Sequence, residues 1–262
     1  MKEVNINESG FVYGFWKTDY GCWQINDRNN ALYLLVGEEK ALLIDTGYGD
    51  GDLREIVERI TDLPVMVVDT HGHLDHSGGN AFFTEVWMGK GGEKDALEVE
   101  SRTRLPYPDY KINNLEDGQL IDLGGRVIEA IAIGAHHRSS FAFLDKSNRT
   151  LYSGDELESA QVLLFVHDED VEDIEIARRH LANMNKLKAR AGEFDRIAPA
   201  HNGGPLEVSY IDDYIELAQK LIDGNIAPEA TCAGYGWPAD IFGGDAVLKR
   251  FTHKKASFVM RA

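Results

Sequence analysis

Six consecutive residues, His71-Gly72-His73-Leu74-Asp75-His76, constrain this chain more than any other stretch. They crowd three imidazoles and a carboxylate, all of them metal-ligating groups, into one short segment. The apolar run at 65–68 predicts a short buried strand that ends at Val68 or Asp69. The cluster therefore falls in the loop leaving the strand's C-terminal end, a usual address for active sites in mixed α/β architectures. Gly72, Gly78 and Gly79 let the backbone bend sharply and approach an ion closely. Histidines satisfied within a core are rarely spaced two and three apart in a glycine-rich loop.

The surrounding pattern mixes strands and helices. Two apolar runs within 33–45 flank a polar turn at 37–40 and predict a hairpin. Helices are predicted at 52–60 and 93–104, and Pro106 and Pro108 stop the second. Strands follow at 120–123, 127–133, 141–144 and 150–152. Ile174, Ala177, Leu181, Met184, Leu187 and Ala191 then form one apolar helical stripe, with Gly192 placed to end it. A strand at 196–198, a helix at 210–222 and a hairpin of 247–251 with 257–260 close the chain. No repeat or linker divides it, so one domain over 1–262 is expected: an α/β (α+β) fold with two mixed sheets face to face and helices outside.

Charge excludes some partners. A net charge of −17 repels a phosphate backbone, and the basic stretches at 178–179 and 186–190 read as a solvated helix face, so no nucleic-acid partner is expected. Apolar runs are strand-sized, far short of a membrane span. The first eight residues carry no apolar signal region. Cys22 and Cys232 form no paired motif, and a cytoplasmic location is expected.

The segment 70–79 resembles the HxHxDH signature of the metallo-β-lactamase superfamily, and four further motifs follow the family's order. Ile44-Asp45-Thr46-Gly47 resembles the first, Ala135-His136 the third, Ser153-Gly154-Asp155 the fourth and Pro199-Ala200-His201 the fifth. The resemblance implies a four-layer αββα sandwich. It implies that His71, His73 and His136 hold one metal ion and that Asp75, His76 and His201 hold a second. Asp155 would bridge the two, and Asp45 would orient ligands from behind. Zinc is the first expectation for the two divalent ions, with iron or manganese as alternatives. The bridging carboxylate makes the site resemble glyoxalase II and lactonase relatives more than true β-lactamases. No basic cluster suited to glutathione is evident after His201, which argues against a dedicated glyoxalase II.

Two divalent ions, less Asp75, Asp155 and a shared hydroxide, leave about one unit of positive charge. That balance suits an oxyanionic transition state, with the hydroxide attacking while a metal polarises the acyl oxygen. The expected activity is hydrolysis of a small-molecule ester, thioester, lactone or related acyl bond. Alternatives are a small-molecule phosphodiesterase and a mono- or di-iron redox enzyme. Oligomeric state is not legible.

One motif departs from the family, whose third motif usually reads Gly-His-Thr-Pro-Gly-Ser. Here 135–140 is Ala-His-His-Arg-Ser-Ser, so His136 and His137 compete for one role, with position favouring His136. Arg138 would then lie near the metals as a clamp for substrate, and His167 is a second candidate contact. His180, on the polar flank of its helix, reads as structural, and His253 as exposed. Trp16, Tyr20, Trp23, Tyr107, Tyr110 and Trp237 are left outside regular elements.

Overall fold

The computed structural model describes residues 3–6, 12–98, 110–164, 171–233 and 247–261. The first sheet has eight strands in sequence order: β1 (Glu3–Ile6), β2 (Val12–Lys17), β3 (Trp23–Asp27), β4 (Asn30–Val36), β5 (Ala41–Ile44), β6 (Val65–Val68), β7 (Glu85–Met88) and β8 (Lys111–Asn114). Between them lie α1 (Leu53–Ile60), α2 (Leu74–Ser77) and α3 (Glu93–Glu98). The hairpin β4–β5 and strand β6 stand where the apolar runs put them. β5 to β8 pair in parallel. Asp52 caps α1 by accepting the Glu55 N–H.

The second half supplies β9 (Leu120–Asp122), β10 (Val127–Ala132), β11 (Phe141–Asp145), β12 (Thr150–Gly154), β13 (Val162–Leu163), α4 (Asp173–Lys188), β14 (Arg196–Pro199), β15 (Leu206–Glu207), α5 (Tyr210–Ile222), β16 (Ala230–Ala233), β17 (Val247–His253) and β18 (Ala256–Arg261). Six of these strands form the second sheet in the order β15-β14-β12-β11-β10-β9. The closing hairpin, β17 and β18, is part of a third sheet, β13-β18-β17-β16. The parallel partner of β18 is only two residues long, which no local pattern announces.

Alternation along the strands builds the layers. Leu42, Ile44 and Val68 of the first sheet meet Ile128, Phe143 and Tyr152 of the second in a central core. Leu43 and Val67 point the other way, onto Leu53, Ile56 and Val57 of α1. On the far side, Leu144 and Ile197 pack under α4 and α5. The arrangement is the four-layer αββα sandwich.

Several local expectations are corrected. α4 ends at Lys188, before Gly192, because Ala189 already caps it. Its buried face is Ile176, Ala177, His180, Met184 and Leu187, with Ile174 and Leu181 only partly covered. His180 is thus in the core, donating from Nε2 to the Glu156 carbonyl at 2.8 Å. His253 is half-buried against Glu216. Trp16 and Trp23 belong to β2 and β3, Tyr20 is buried, and Tyr110 packs beside the outer core. Tyr107, His167, Trp237 and the predicted helix beyond Glu98 lie outside the described residues.

Burial pushes the His180 imidazole down to about 4. Its unfolded counterpart titrates near 6.5, so between those values the unfolded chain holds the extra proton and folding stability rises with pH. The imidazole contributes no pH dependence above that window. Chemical denaturation of wild type and His180→Phe between pH 4 and 7 should show the wild type losing up to about 3 kcal/mol more on acidification. Equal slopes would contradict this.

Candidate metal centre

All the candidate ligands sit at one end of the sandwich. β10, β12 and β14 run the same way, so the segments after them emerge together. The loop after β6 meets them there, and the Phe141 N–H donates to the Thr70 carbonyl at 2.8 Å across the two sheets. Two glycines make the approach close enough. A Cβ at Gly72 would lie 2.2 Å from the Gly92 carbonyl oxygen, and Gly154, at φ +54°, passes so near Thr70 that a Cβ would lie 2.8 Å from it.

Donor atoms of His71, His73 and His136 lie within 4.8 Å of one another, as do those of Asp75, His76 and His201. His71, His76 and Asp155 form a third such group linking the two. His73 Nδ1 is 2.7 Å from His71 Nε2 and 3.1 Å from His136 Nε2. A proton can bridge only one pair of nitrogens at a time, whereas one cation takes all three lone pairs. His76 Nε2 and Asp155 Oδ1 are buried 3.3 Å apart, and among the described residues neither atom finds a hydrogen-bond partner of good geometry. Asp155 Oδ2 lies 3.5 Å from His201 Nε2 and 3.6 Å from His136 Nε2. The donor set fits divalent cations.

The rings are aimed from behind. Asp45 takes a left-handed conformation, φ 64°, and is buried. Its Oδ1 accepts the Thr70 N–H at 2.6 Å, and its Oδ2 lies 2.9 Å from His76 Nδ1. His136 Nδ1 donates to the Leu163 carbonyl at 2.8 Å, which turns Nε2 towards His73. The tip of the β3–β4 hairpin holds the other side. The Asn29 carbonyl accepts from His201 Nδ1 at 3.0 Å, and the Asn30 amide donates to the Asp75 carbonyl.

Electrostatics follow from burial and proximity. Burial, reinforced by His76, holds the His71 imidazole well below its ordinary value, keeping it in the neutral form that ligates. Burial opposes the charge of Asp155, yet His201 and His76 outweigh it and hold the carboxyl well below the usual range.

His137 is not grouped with the other donors. Its ring is buried, with Nδ1 2.6 Å from Ser139 Oγ and Nε2 2.8 Å from Asp95 Oδ2. Arg138 is exposed, and its aliphatic chain runs beside Gly91. Sequence reasoning missed the supporting residues Thr70, Asn29 and Asn30, and Glu156, whose carboxyl accepts the N–H groups of Ala135 and His136. Asp155-Glu156-Leu157-Glu158 carried a usable signal, since acids directly after a fully buried strand must find partners inside.

The family model described as the metallo-beta-lactamase superfamily matches residues 25–226. The chain belongs to this superfamily. It is 24% identical over 201 residues to the acyl-coenzyme A thioesterase MBLAC2 of Gallus gallus, covering 65% of this chain and 71% of that one. With the hydroxyacylglutathione hydrolase of Prochlorococcus marinus (strain MIT 9301) it shares 29% identity over 138 residues, 52% of each chain. Over much of the set, then, the match spans little more than half of the relative's length; for the Homo sapiens MBLAC2 it is 57%. A metallo-beta-lactamase from Pontibacter korlensis superposes with a TM-score of 0.58 at 21% identity, over 84% of this chain and 99% of that one. That likeness speaks for the superfamily's fold.

Among the described residues no helix is long and apolar enough to cross a membrane. Lys186 and Lys188 in the last turn of α4, and Arg190 just beyond it, pair with Asp117, Asp212 and Glu129, so this basic stretch is matched by acids.

Proposed function

We propose that the chain is a cytoplasmic metal-dependent hydrolase of small-molecule acyl substrates, with thioesters foremost, built as one catalytic domain over 1–262. The observation that carries the reading is the convergence of seven ligand-type side chains on linked groups of donor atoms within 4.8 Å. The relatives named above, MBLAC2 and a hydroxyacylglutathione hydrolase, carry the names of thioester hydrolases, which narrows the acyl class. In this reading His71, His73 and His136 would hold one ion and Asp75, His76 and His201 the other, with Asp155 serving as the carboxylate common to the two groups; zinc would be the first candidate. Bound divalent ions supply Lewis-acid polarisation of the acyl oxygen and a water acidified to near neutrality.

The chain's own groups do the rest. Burial holds the His71 and His136 imidazoles in the neutral form that offers a lone pair, and Asp45 fixes His76 so that Nε2 faces inward. Asp155 sets negative charge between His76, His136 and His201, so the site keeps only a small positive excess for an oxyanion. Arg138, exposed on the third-motif loop, is assigned to substrate rather than to metal.

Elemental mass spectrometry of protein purified without added metal tests this, together with thiol release from acyl-coenzyme A and acyl-glutathione probes. About two ions per chain are expected, falling towards one in His76→Ala, with thioester cleavage abolished by chelation. No bound metal after reconstitution would sink the reading.

A further inference from the structure

The loop joining β10 to β11 carries His136; its one glycine, Gly134, lets the chain pass so near the Arg138 carbonyl oxygen that a Cβ would lie 2.4 Å from it, and residues 135–140 contain neither proline nor glycine. Beyond Gly134 the loop is held from two sides. On one side is Glu156, fully buried just after β12. Its Oε1 accepts the N–H groups of both Ala135 and His136, each at 2.8 Å. Glu156 is itself anchored, because its carbonyl accepts from the buried His180. On the other side, His137 Nδ1 accepts the Ser139 N–H at 3.1 Å, which places the ring proton on Nε2, donated to Asp95 of α3.

A buried carboxyl is costly to keep unless its hydrogen bonds do something an apolar side chain could not. Here the two bonds hold two successive peptides, the second of them bearing the N–H of the candidate ligand His136. With the peptide fixed by Glu156 and Nδ1 fixed by the Leu163 carbonyl, the ring has a defined direction for Nε2. Removing either restraint frees the imidazole to swing away from His71 and His73.

We propose that Glu156 is a positioning residue for the first metal ion: its carboxyl oxygen clamps the backbone N–H groups of Ala135 and His136 and so fixes the segment that follows Gly134. The inference rests on the metal-site reading above. Outer partners of metal ligands set affinity as well as geometry. Aspartate at this position would withdraw the oxygen by one methylene, whereas glutamine would keep an acceptor in place.

The test compares Glu156→Asp, Glu156→Gln and His136→Ala with wild type. Zinc affinity is measured by competition with a chromophoric chelator, coordination by the visible spectrum of the cobalt(II) form, and folding by denaturation. Glu156→Asp should weaken one of two bound ions by about 10- to 100-fold and move the cobalt spectrum towards that of His136→Ala. Glu156→Gln should stay near wild type in both. Wild-type affinity and spectrum in Glu156→Asp, while His136→Ala loses an ion, would overturn the positioning role and leave the metal site standing. Loss of cooperative unfolding in Glu156→Asp would mark Glu156 as merely structural and also overturn it. Unchanged metal content in His136→Ala and His76→Ala alike would remove the site reading, and this inference with it.

Discussion

Asp155→Asn should lower kcat/KM for a thioester substrate by about 1,000-fold or more, a transition-state loss of several kcal/mol. The substitution keeps the size of the side chain and removes its charge. Asp155 faces three imidazoles delivered by α2 and by two loops, with oxygens 3.3 Å from His76, 3.6 Å from His136 and 3.5 Å from His201. An amide nitrogen directed at that centre would repel a cation and leave the imidazoles without their shared counter-charge. Metal content should fall in parallel, which separates this loss from a simple failure to bind substrate. Thiol-release kinetics with elemental analysis of the same samples provide the check. Activity within about 10-fold of wild type, with metal unchanged, would mean that the carboxylate does not sit between the ions.

Arg126→Ala should destabilise the fold by about 3–5 kcal/mol, the cost of stranding a buried charge. Asp145 is fully buried at the end of β11, and Arg126 beside β10 is nearly so. The guanidinium donates from Nε to Asp145 Oδ2 at 2.9 Å and from Nη1 to the carbonyls of Gly21 and Val36 at 2.9 and 3.2 Å. Those carbonyls belong to the first half of the chain, so one side chain ties the two sheets together far from the metal end. Urea denaturation measures the loss directly. A change below about 1 kcal/mol would show that the pair behaves as a surface ion pair.

How much of this was legible beforehand depended on how local the signal was. Val65–Val68 and the hairpin β4–β5 are apolar runs with turn residues between them, so the pattern alone places them. The HxHxDH segment is equally local. β7 and β8 read Glu-Val-Trp-Met and Lys-Ile-Asn-Asn, too short and too mixed to announce themselves. They are strands because β6 offers a parallel edge. The sequence places His180 on the polar flank for a related reason. A polar residue type stands on the buried side of α4, and only the Glu156 carbonyl opposite explains it. The choice between His136 and His137 could not be made from position with certainty, since adjacent loop residues point opposite ways. Here the Leu163 carbonyl and Asp95 separate them, and both are remote in sequence.

The placement of Phe141 against Thr70 has a consequence for how the molecule comes apart. His71, His73, Asp75 and His76 descend from the first sheet; His136, Asp155 and His201 from the second. Any cation shared among them is a clasp across the seam of the sandwich. With the clasp fastened, neither half can open without losing ligands, and hydrogen exchange in both sheets should report one common protection limit. With it undone, the seam at this end keeps hydrogen bonds such as Thr70–Phe141, Ala31–Ala200, Tyr33–Pro199 and Asn29–His201, and the two halves can exchange on separate schedules. Metal affinity and unfolding cooperativity would then be two readings of the same quantity.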